Sequence, residues 1–194
     1  MTDLKTHLHR YLQSGRDAVL WKLEGLGEYD VRRPLTPTGT NLLGLVKHLA
    51  STEIGYFGDT FARTFPEHLP WIELADDDPQ ADLWATPDES RDYITDLYRR
   101  VWDFSDTTIR ELDLDSRGNV PWWPTERSEV TLGQIITHMI AETHRHAGHA
   151  DITREGIDGA AGMRQGNDNL WVEEQSRTEY FDLVERNARK AAGL

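Results

Sequence analysis

Cysteine is absent from all 194 residues. That excludes a disulfide framework, a thiolate-ligated zinc site and a cysteine nucleophile together. Basic residues are scarce: 21 Lys and Arg stand against 34 Asp and Glu, a formal charge of −13. Binding to phosphate needs a basic face, so nucleic acid is not an expected partner, and an anionic membrane surface is disfavoured for the same reason. No apolar run reaches the length of a bilayer-spanning helix, and no N-terminal stretch has the pattern of a signal peptide. A soluble cytoplasmic chain, with no nucleic-acid or membrane partner, is expected. Gly-x-Ser-x-Gly, His-Glu-x-x-His, paired Glu-x-x-His segments and both phosphate-loop patterns are also missing. These absences count against a serine-hydrolase elbow, a zincin, a di-iron bundle and a phosphate-binding loop.

What is present favours a folded chain. Hydrophobic residues make up 38% and charged residues 28%. The length suits one domain, 1–194, with room for a single core. Seven tryptophans are many for this size and are either core filler or pocket lining.

The pattern predicts helices separated by long loops. A first helix spans about Asp3 to Lys22 with Thr2 as N-cap, and Leu4, Leu8, Tyr11, Leu12, Ala18, Val19 and Leu23 form its apolar stripe. His7 and His9 read as solvated. Residues 25–39 are a loop by their glycines and prolines. A second helix starts at Thr40 or Asn41 and runs to Phe61, with three internal glycines; Gly44 leaves room for close approach of another helix or a ligand. Residues 66–85 form a long acidic connection suited to a lid or pocket wall, in which Asp76-Asp-Asp78 reads as a solvated face. Thr86-Pro87-Asp88-Glu89 opens a third helix as a capping box, reaching about Glu111, with Tyr98 and Trp102 in the core. Trp122 and Trp123, set between prolines, either cap the mouth of a site or anchor their loop. A fourth helix runs from Thr131 to about Arg154 or Glu155, capped by Gly156. Irregular chain follows, then a last helix opened by the capping box Ser176-Arg-Thr-Glu179.

The fourth helix carries the chemistry. Four of the eight histidines lie between 138 and 149, with a glutamate among them. At about 100° per residue, Glu142, His146, His149 and His138 form one ridge beside the apolar stripe, and His144 points elsewhere. A carboxylate and an imidazole at i, i+4 share a helix face and suit a divalent cation that takes a third ligand from another helix. His48, at the stripe edge of the second helix, is the candidate. Three protein ligands leave open positions, as in catalytic sites, where a metal acidifies a bound water or thiol. A histidine-rich surface ridge without metal fits the spacing equally well.

The segments Asn41-Leu-Leu-Gly-Leu-Val-Lys-His48-Leu-Ala-Ser-Thr-Glu53 and His138-Met-Ile-Ala-Glu142-Thr-His144-Arg-His146-Ala-Gly-His149-Ala-Asp151 resemble the two motif helices of the DinB/YfiT-like superfamily. The likeness covers about residues 1–160. The chain is also similar to the mycothiol-dependent maleylpyruvate isomerase branch, where a glutamate replaces the first histidine of the helix-four pair. The resemblance implies an all-α, up-down-down-up four-helix bundle over about 1–155, with the loop and helix of 156–194 added. It implies a metal held by His48, Glu142 and His146. The common motif has histidine at the position of Glu142 and glutamine near that of His149. A glutamate ligand is harder and anionic, so it partly neutralises the cation. His149 is an alternative third ligand or a proton shuttle.

Members of the superfamily are associated with transfer or isomerisation using thiols such as mycothiol or bacillithiol. The expected activity is therefore a metal-dependent transferase or isomerase acting with a mycothiol-like thiol on a small electrophile. A metal-dependent hydrolase and a non-catalytic metal or small-ligand binding protein are the alternatives. Zinc suits the mixed nitrogen and oxygen donors, as do nickel, iron and manganese. Trp71, Trp122, Trp123 and the 156–171 loop are candidate pocket walls, and Arg145 or Arg164 is a candidate for a substrate carboxylate. Oligomeric state stays open, with a homodimer through helix faces as one candidate.

Overall fold

The first helix begins where a carboxylate can meet free amides. Asp3 accepts a hydrogen bond from the Thr6 amide at 2.9 Å, and α1 follows over Leu4–Trp21. The computed structural model describes residues 3–74, 77–168 and 176–194. Thr2, the expected cap, lies outside them, and Asp3 takes its place because an anion also complements the helix N-terminus. The stripe of α1 is narrower than its sequence suggests: Leu12, Ala18 and Val19 are buried, while Leu4 and Tyr11 are exposed.

The loop expected over 25–39 contains a short helix, α2 (Glu28–Arg32). Asn41 caps α3 (Leu42–Phe57) through the Gly44 amide. The helix does not continue to Phe61. It stops at Gly58, where a Cβ would fall 2.3 Å from the Ile54 carbonyl oxygen, and Asp59–Phe61 tighten into a 3₁₀ turn. In the connection that follows, Pro70–Glu73 form a short helix, α4. Asp77 and Asp78 are exposed as expected, and Asp76 lies outside the described residues.

The third long helix, α5 (Arg91–Glu111), starts later than the capping box suggests. Glu89 does accept from the Thr86 amide at 2.7 Å, but it also holds Lys47 at 3.0 Å, and that pair makes a separate turn. Ser90 is the true N-cap, accepting from the Tyr93 amide. A small hairpin was not legible in the sequence. Strands β1 (Arg117–Asn119) and β2 (Glu129–Thr131) pair antiparallel around α6 (Thr125–Ser128). Three-residue strands carry too little alternation to register.

Thr131 caps α7 (Leu132–Asp158), which runs past Gly156. Arg154 bridges Asp158 at 2.7 Å across the added turn, and Gly159, with φ 77°, takes the left-handed closing position. The last helix is α8 (Arg177–Ala192); its N-cap Ser176 makes no side-chain cap bond, so the expected capping box does not form.

The chain is thus mainly helical, with one two-stranded sheet among the described residues. No described helix is long and apolar enough to cross a membrane. Helix α1 packs along α7, and α3 packs along both α5 and α7. Burial of Leu42, Val46, Leu49, Ile94, Leu97 and Val101 closes the α3–α5 interface, and each such side chain stabilises the fold by about 1.5–3 kcal/mol. A second cluster, Leu12, Phe57, Ile135, Ile136 and Met139, joins α1, α3 and α7.

Charged groups are fixed inside this frame. Arg16 of α1 grips Glu53 of α3 with two hydrogen bonds, 2.5 and 2.9 Å, and both side chains are fully buried. Tyr98 of α5 donates to the same carboxylate, so the expected core role of Tyr98 includes a polar contact. Arg16 also meets Asp106, as does His9, which is half-buried and paired instead of solvated. Burial pushes the Asp106 carboxyl up, but its contacts with His9 and Arg16 outweigh this and hold it below its ordinary value. Asp106 therefore stabilises the fold fully above the ordinary aspartate range, near pH 4, and loses that contribution as pH falls from there through its lower folded value. Asp106→Asn is expected to flatten the acid limb of a stability curve below about pH 4. A limb of unchanged slope would show that these ion pairs carry no net free energy.

Candidate metal centre

Helices α3 and α7 bring His48 and the Glu142/His146 pair to one place. Each of the three offers a ligand atom, and these atoms all lie within 4.8 Å of one another. His146 Nε2 is 2.9 Å from Glu142 Oε1, and His48 Nε2 is 3.6 Å from the same oxygen. The two imidazole rings meet edge to face, with centroids 5.0 Å apart. Donors that share a tetrahedral ion at about 2.0–2.2 Å stand about 3.3 Å from each other. The two measured separations bracket that value, so the donor set fits a divalent cation.

No motif points to the group that orients His48. Asp82, in the 66–85 connection, accepts from His48 Nδ1 at 2.8 Å. That contact places a hydrogen on Nδ1 and turns Nε2 toward Glu142. A carboxylate behind a histidine is the usual support of a metal ligand. No periodicity links Asp82 to His48 across 34 positions; only the length of the acidic loop marked it as a lid or pocket wall.

The backbone brings Asp82 there by close packing. A Cβ on Gly44 would fall 1.9 Å from the Leu83 carbonyl oxygen, and the Asn41 side chain also bonds that oxygen. The room expected at Gly44 is therefore taken by the 82–84 backbone and not by a helix or ligand. Gly44→Ala is expected to destabilise the fold by about 1–3 kcal/mol and to weaken metal binding, because the backbone it displaces carries Asp82. Metal titration of a variant that still folds checks this; wild-type affinity would break the link between Gly44 and the site.

The electrostatics match a cluster of opposed charges. Burial works against a charged His48, but Asp82 and Glu142 outweigh it and raise its pKa. Burial and then the neighbouring His48 push His146 down. Burial raises Glu142, but the two imidazoles reverse this and hold it below the ordinary glutamate value. Glu142 therefore stays ionised, an anionic ligand between two nitrogen donors.

The other candidates separate into groups. His149 reaches His146, Nδ1 to Nδ1 at 3.4 Å, and faces solvent beyond it. His144 donates to or accepts nothing from the cluster; its Nδ1 meets the Ile140 carbonyl and its ring lies against Gly15. His138, one turn before Glu142, packs against Tyr56 and Trp123 and is not in the ligand cluster. Trp123 Nε1 bonds the Tyr56 hydroxyl, which anchors the loop, while Trp122 is half exposed with its ring on Gly55. Trp71 is buried and bonds Ser51, and it lines a cavity of about 150 Å³ that also includes Gly55, Asp59 and Asp82. Arg145 is exposed, and Arg164 lines a separate cleft with Arg10, Gln13 and Trp21 that contains no member of the ligand cluster. Of the 156–171 loop, Trp171 lies outside the described residues.

This arrangement of donors on two helices falls inside a recognised unit. A family model for mycothiol S-transferases matches residues 7–159. The chain belongs to the mycothiol S-transferase family. No curated protein and no solved structure matches it. The matched stretch runs from α1 to the end of α7 and includes His48, Asp82, Glu142 and His146, whereas α8 lies beyond it. As a DinB/YfiT-like family near the mycothiol-dependent enzymes, the mycothiol S-transferases bear out the likeness read from the two motif helices.

Proposed function

We propose that this mycothiol S-transferase family member is a divalent-metal-dependent enzyme that joins a mycothiol-like thiol to a small electrophile. The observation that carries the proposal is the convergence of His48, Glu142 and His146, with Asp82 orienting His48 from behind. We read α1, α3, α5 and α7 as an up-down-down-up bundle, a reading supported by the pairing of α1 with α7 and of α3 with both α5 and α7. In that architecture the three ligands sit between the second and fourth bundle helices.

His48 and His146 would hold the cation through imidazole nitrogen and Glu142 through carboxylate oxygen, with zinc or nickel suited to such donors. A cation there supplies Lewis acidity, which lets a thiol lose its proton near neutral pH. The chain supplies the rest. Asp82 keeps the Nδ1 hydrogen of His48 in place. Glu142 offsets part of the positive charge. His149, beside His146 and open to water, is placed to take up the proton that the thiol loses. Trp71 and Ile54 wall the neighbouring cavity, where a small reactant finds contact area.

Asp82→Asn is expected to lower metal affinity by about 10- to 100-fold while leaving the fold intact. The catalytic test is thiol consumption with mycothiol, an alkylating electrophile and added zinc or nickel. Consumption by wild type above the uncatalysed rate, with no turnover of esters or amides in the absence of thiol, is the expected result. Equal rates for wild type and His48→Ala would end the proposal.

A further inference from the structure

Two tryptophans stand side by side in the hairpin, and they are held differently. Trp123 is half-buried and bonds the Tyr56 hydroxyl, so it anchors the loop. Trp122 is 51% exposed. The far edge of its ring rests on α3, where a Cβ on Gly55 would fall 2.7 Å from Trp122 Cη2. Tyr56 meets the same ring edge to face, with centroids 5.1 Å apart. The indole therefore stands up from the helix surface, with much of its area open.

A single exposed apolar side chain needs no explanation by itself. The place of this one on α3 supplies one. Gly55 follows His48 by seven residues, so the two lie within about 20° of each other on one face of the helix and about 10 Å apart along it. Ser51 lies between them. Ser51, Gly55, Asp59 and Asp82 all line the cavity of about 150 Å³ beside the donor cluster. That cavity runs from the carboxylate behind His48 to the foot of Trp122. A drug-sized ligand fills about 300 Å³ or more, so the cavity has room for one ring of a larger molecule.

The lining limits what that ring can be. Asp59, Asp78 and Asp82 contribute carboxylates, and no lysine or arginine lines the cavity among the described residues. Ionised carboxylates only accept hydrogen bonds. A group seated here must bring donors and carry no negative charge, and it must also lie against an indole. A plain aromatic ring suits the indole but offers the carboxylates nothing. A carboxylate or phosphate is repelled by them. A polyhydroxylated ring meets both conditions: the C–H bonds of one face lie on the indole, and the O–H groups of its rim donate to the carboxylates.

We propose that Trp122, seated on Gly55, is the stacking platform for a carbohydrate-like ring of the thiol cosubstrate. The assignment rests on the thiol-transfer reading above and adds an orientation to it. The sulfur lies at the His48 end of the stripe and the ring at the Gly55 end. Trp122 is then a specificity residue, since it touches the body of the thiol and not the reacting atoms.

The test separates the ring from the sulfur. Mycothiol carries hydroxylated rings on its cysteine arm, and N-acetylcysteine has the arm alone. With zinc and one alkylating electrophile, Trp122→Ala is expected to raise KM for mycothiol by about 3- to 10-fold, the size of one aromatic stacking contact. Its kcat, its metal content and its KM for N-acetylcysteine are expected to stay at wild-type values. Gly55→Ala keeps the indole but pushes it off its seat, and is expected to raise the same KM. Trp122→Phe is expected to restore part of the affinity. A second readout needs no turnover. With zinc present and no electrophile, the Trp122 indole N–H resonance, identified by its absence in Trp122→Phe, is expected to shift on addition of mycothiol and not of N-acetylcysteine. Equal KM for mycothiol in wild type and Trp122→Ala, or an unmoved resonance in protein that turns mycothiol over, would overturn the platform and leave metal-dependent thiol transfer standing. A shifted resonance without turnover would keep the platform and remove the catalytic reading. A chain that neither binds nor consumes mycothiol would overturn both.

Discussion

Replacing His48 with alanine is expected to remove stoichiometric metal from the protein and to lower thiol transfer by about 100-fold or more, while helix content stays at the wild-type level. His48 is the one ligand on α3, so its loss leaves only the Glu142/His146 pair of a single helix. Two donors at i, i+4 hold a cation far less tightly than three from two helices. The local cost to the fold is small, because His48 is only half-buried and the Asp82 carboxylate it leaves behind can turn to water. Metal content by elemental analysis, circular dichroism and thiol consumption, all on tag-free protein, separate the outcomes. Retained activity without metal would exclude metal-assisted thiol activation. Lost activity with retained metal would move His48 from ligand to substrate contact.

The other large effect concerns the core. Glu53→Leu is expected to destabilise the fold by about 3–5 kcal/mol, because it leaves the fully buried Arg16 guanidinium without its bidentate partner. For a chain of this size that corresponds to a fall in Tm of about 10 °C. Tyr98 loses its acceptor in the same variant and adds to the cost. Burial alone would lower the pKa of Arg16, but Glu53 and Asp106 raise it, so the arginine stays charged and cannot neutralise to escape the penalty. The double variant Arg16→Met/Glu53→Leu removes both charges and is expected to recover most of the loss. Thermal unfolding of the three proteins checks the pair. A single variant as stable as wild type would mean that water reaches Arg16.

The parts of this fold that were legible in the sequence are those with many turns of consistent periodicity. The helices that begin at Leu42 and Leu132 announce themselves by apolar spacing, and the first also by Asn41 at its cap. The ligand pair Glu142/His146 was legible for the same reason, since i, i+4 neighbours are fixed by helix geometry alone. That His48 meets them was an expectation from its place at the stripe edge, strengthened by the resemblance, because nothing local links residues so far apart. Helix ends were less legible. Gly156 and Gly159 are equivalent letters in the sequence, and only the left-handed backbone at Gly159, after the Arg154–Asp158 bridge, separates them. Asp82 was invisible because its role depends on the Gly44–Leu83 contact, a matter of backbone packing that no spacing encodes. His138 belonged to the ridge by angle, yet it packs on Tyr56 and Trp123, because the hairpin that delivers Trp123 was not foreseen.

The most direct measurement is an anomalous difference map from crystals grown with zinc or nickel. A single strong peak within about 2.0–2.3 Å of His48 Nε2, a Glu142 carboxylate oxygen and a His146 ring nitrogen is the expected result. A peak elsewhere, on the acidic 76–78 stretch or at His149 alone, or no peak with the three side chains still in mutual contact, would contradict it.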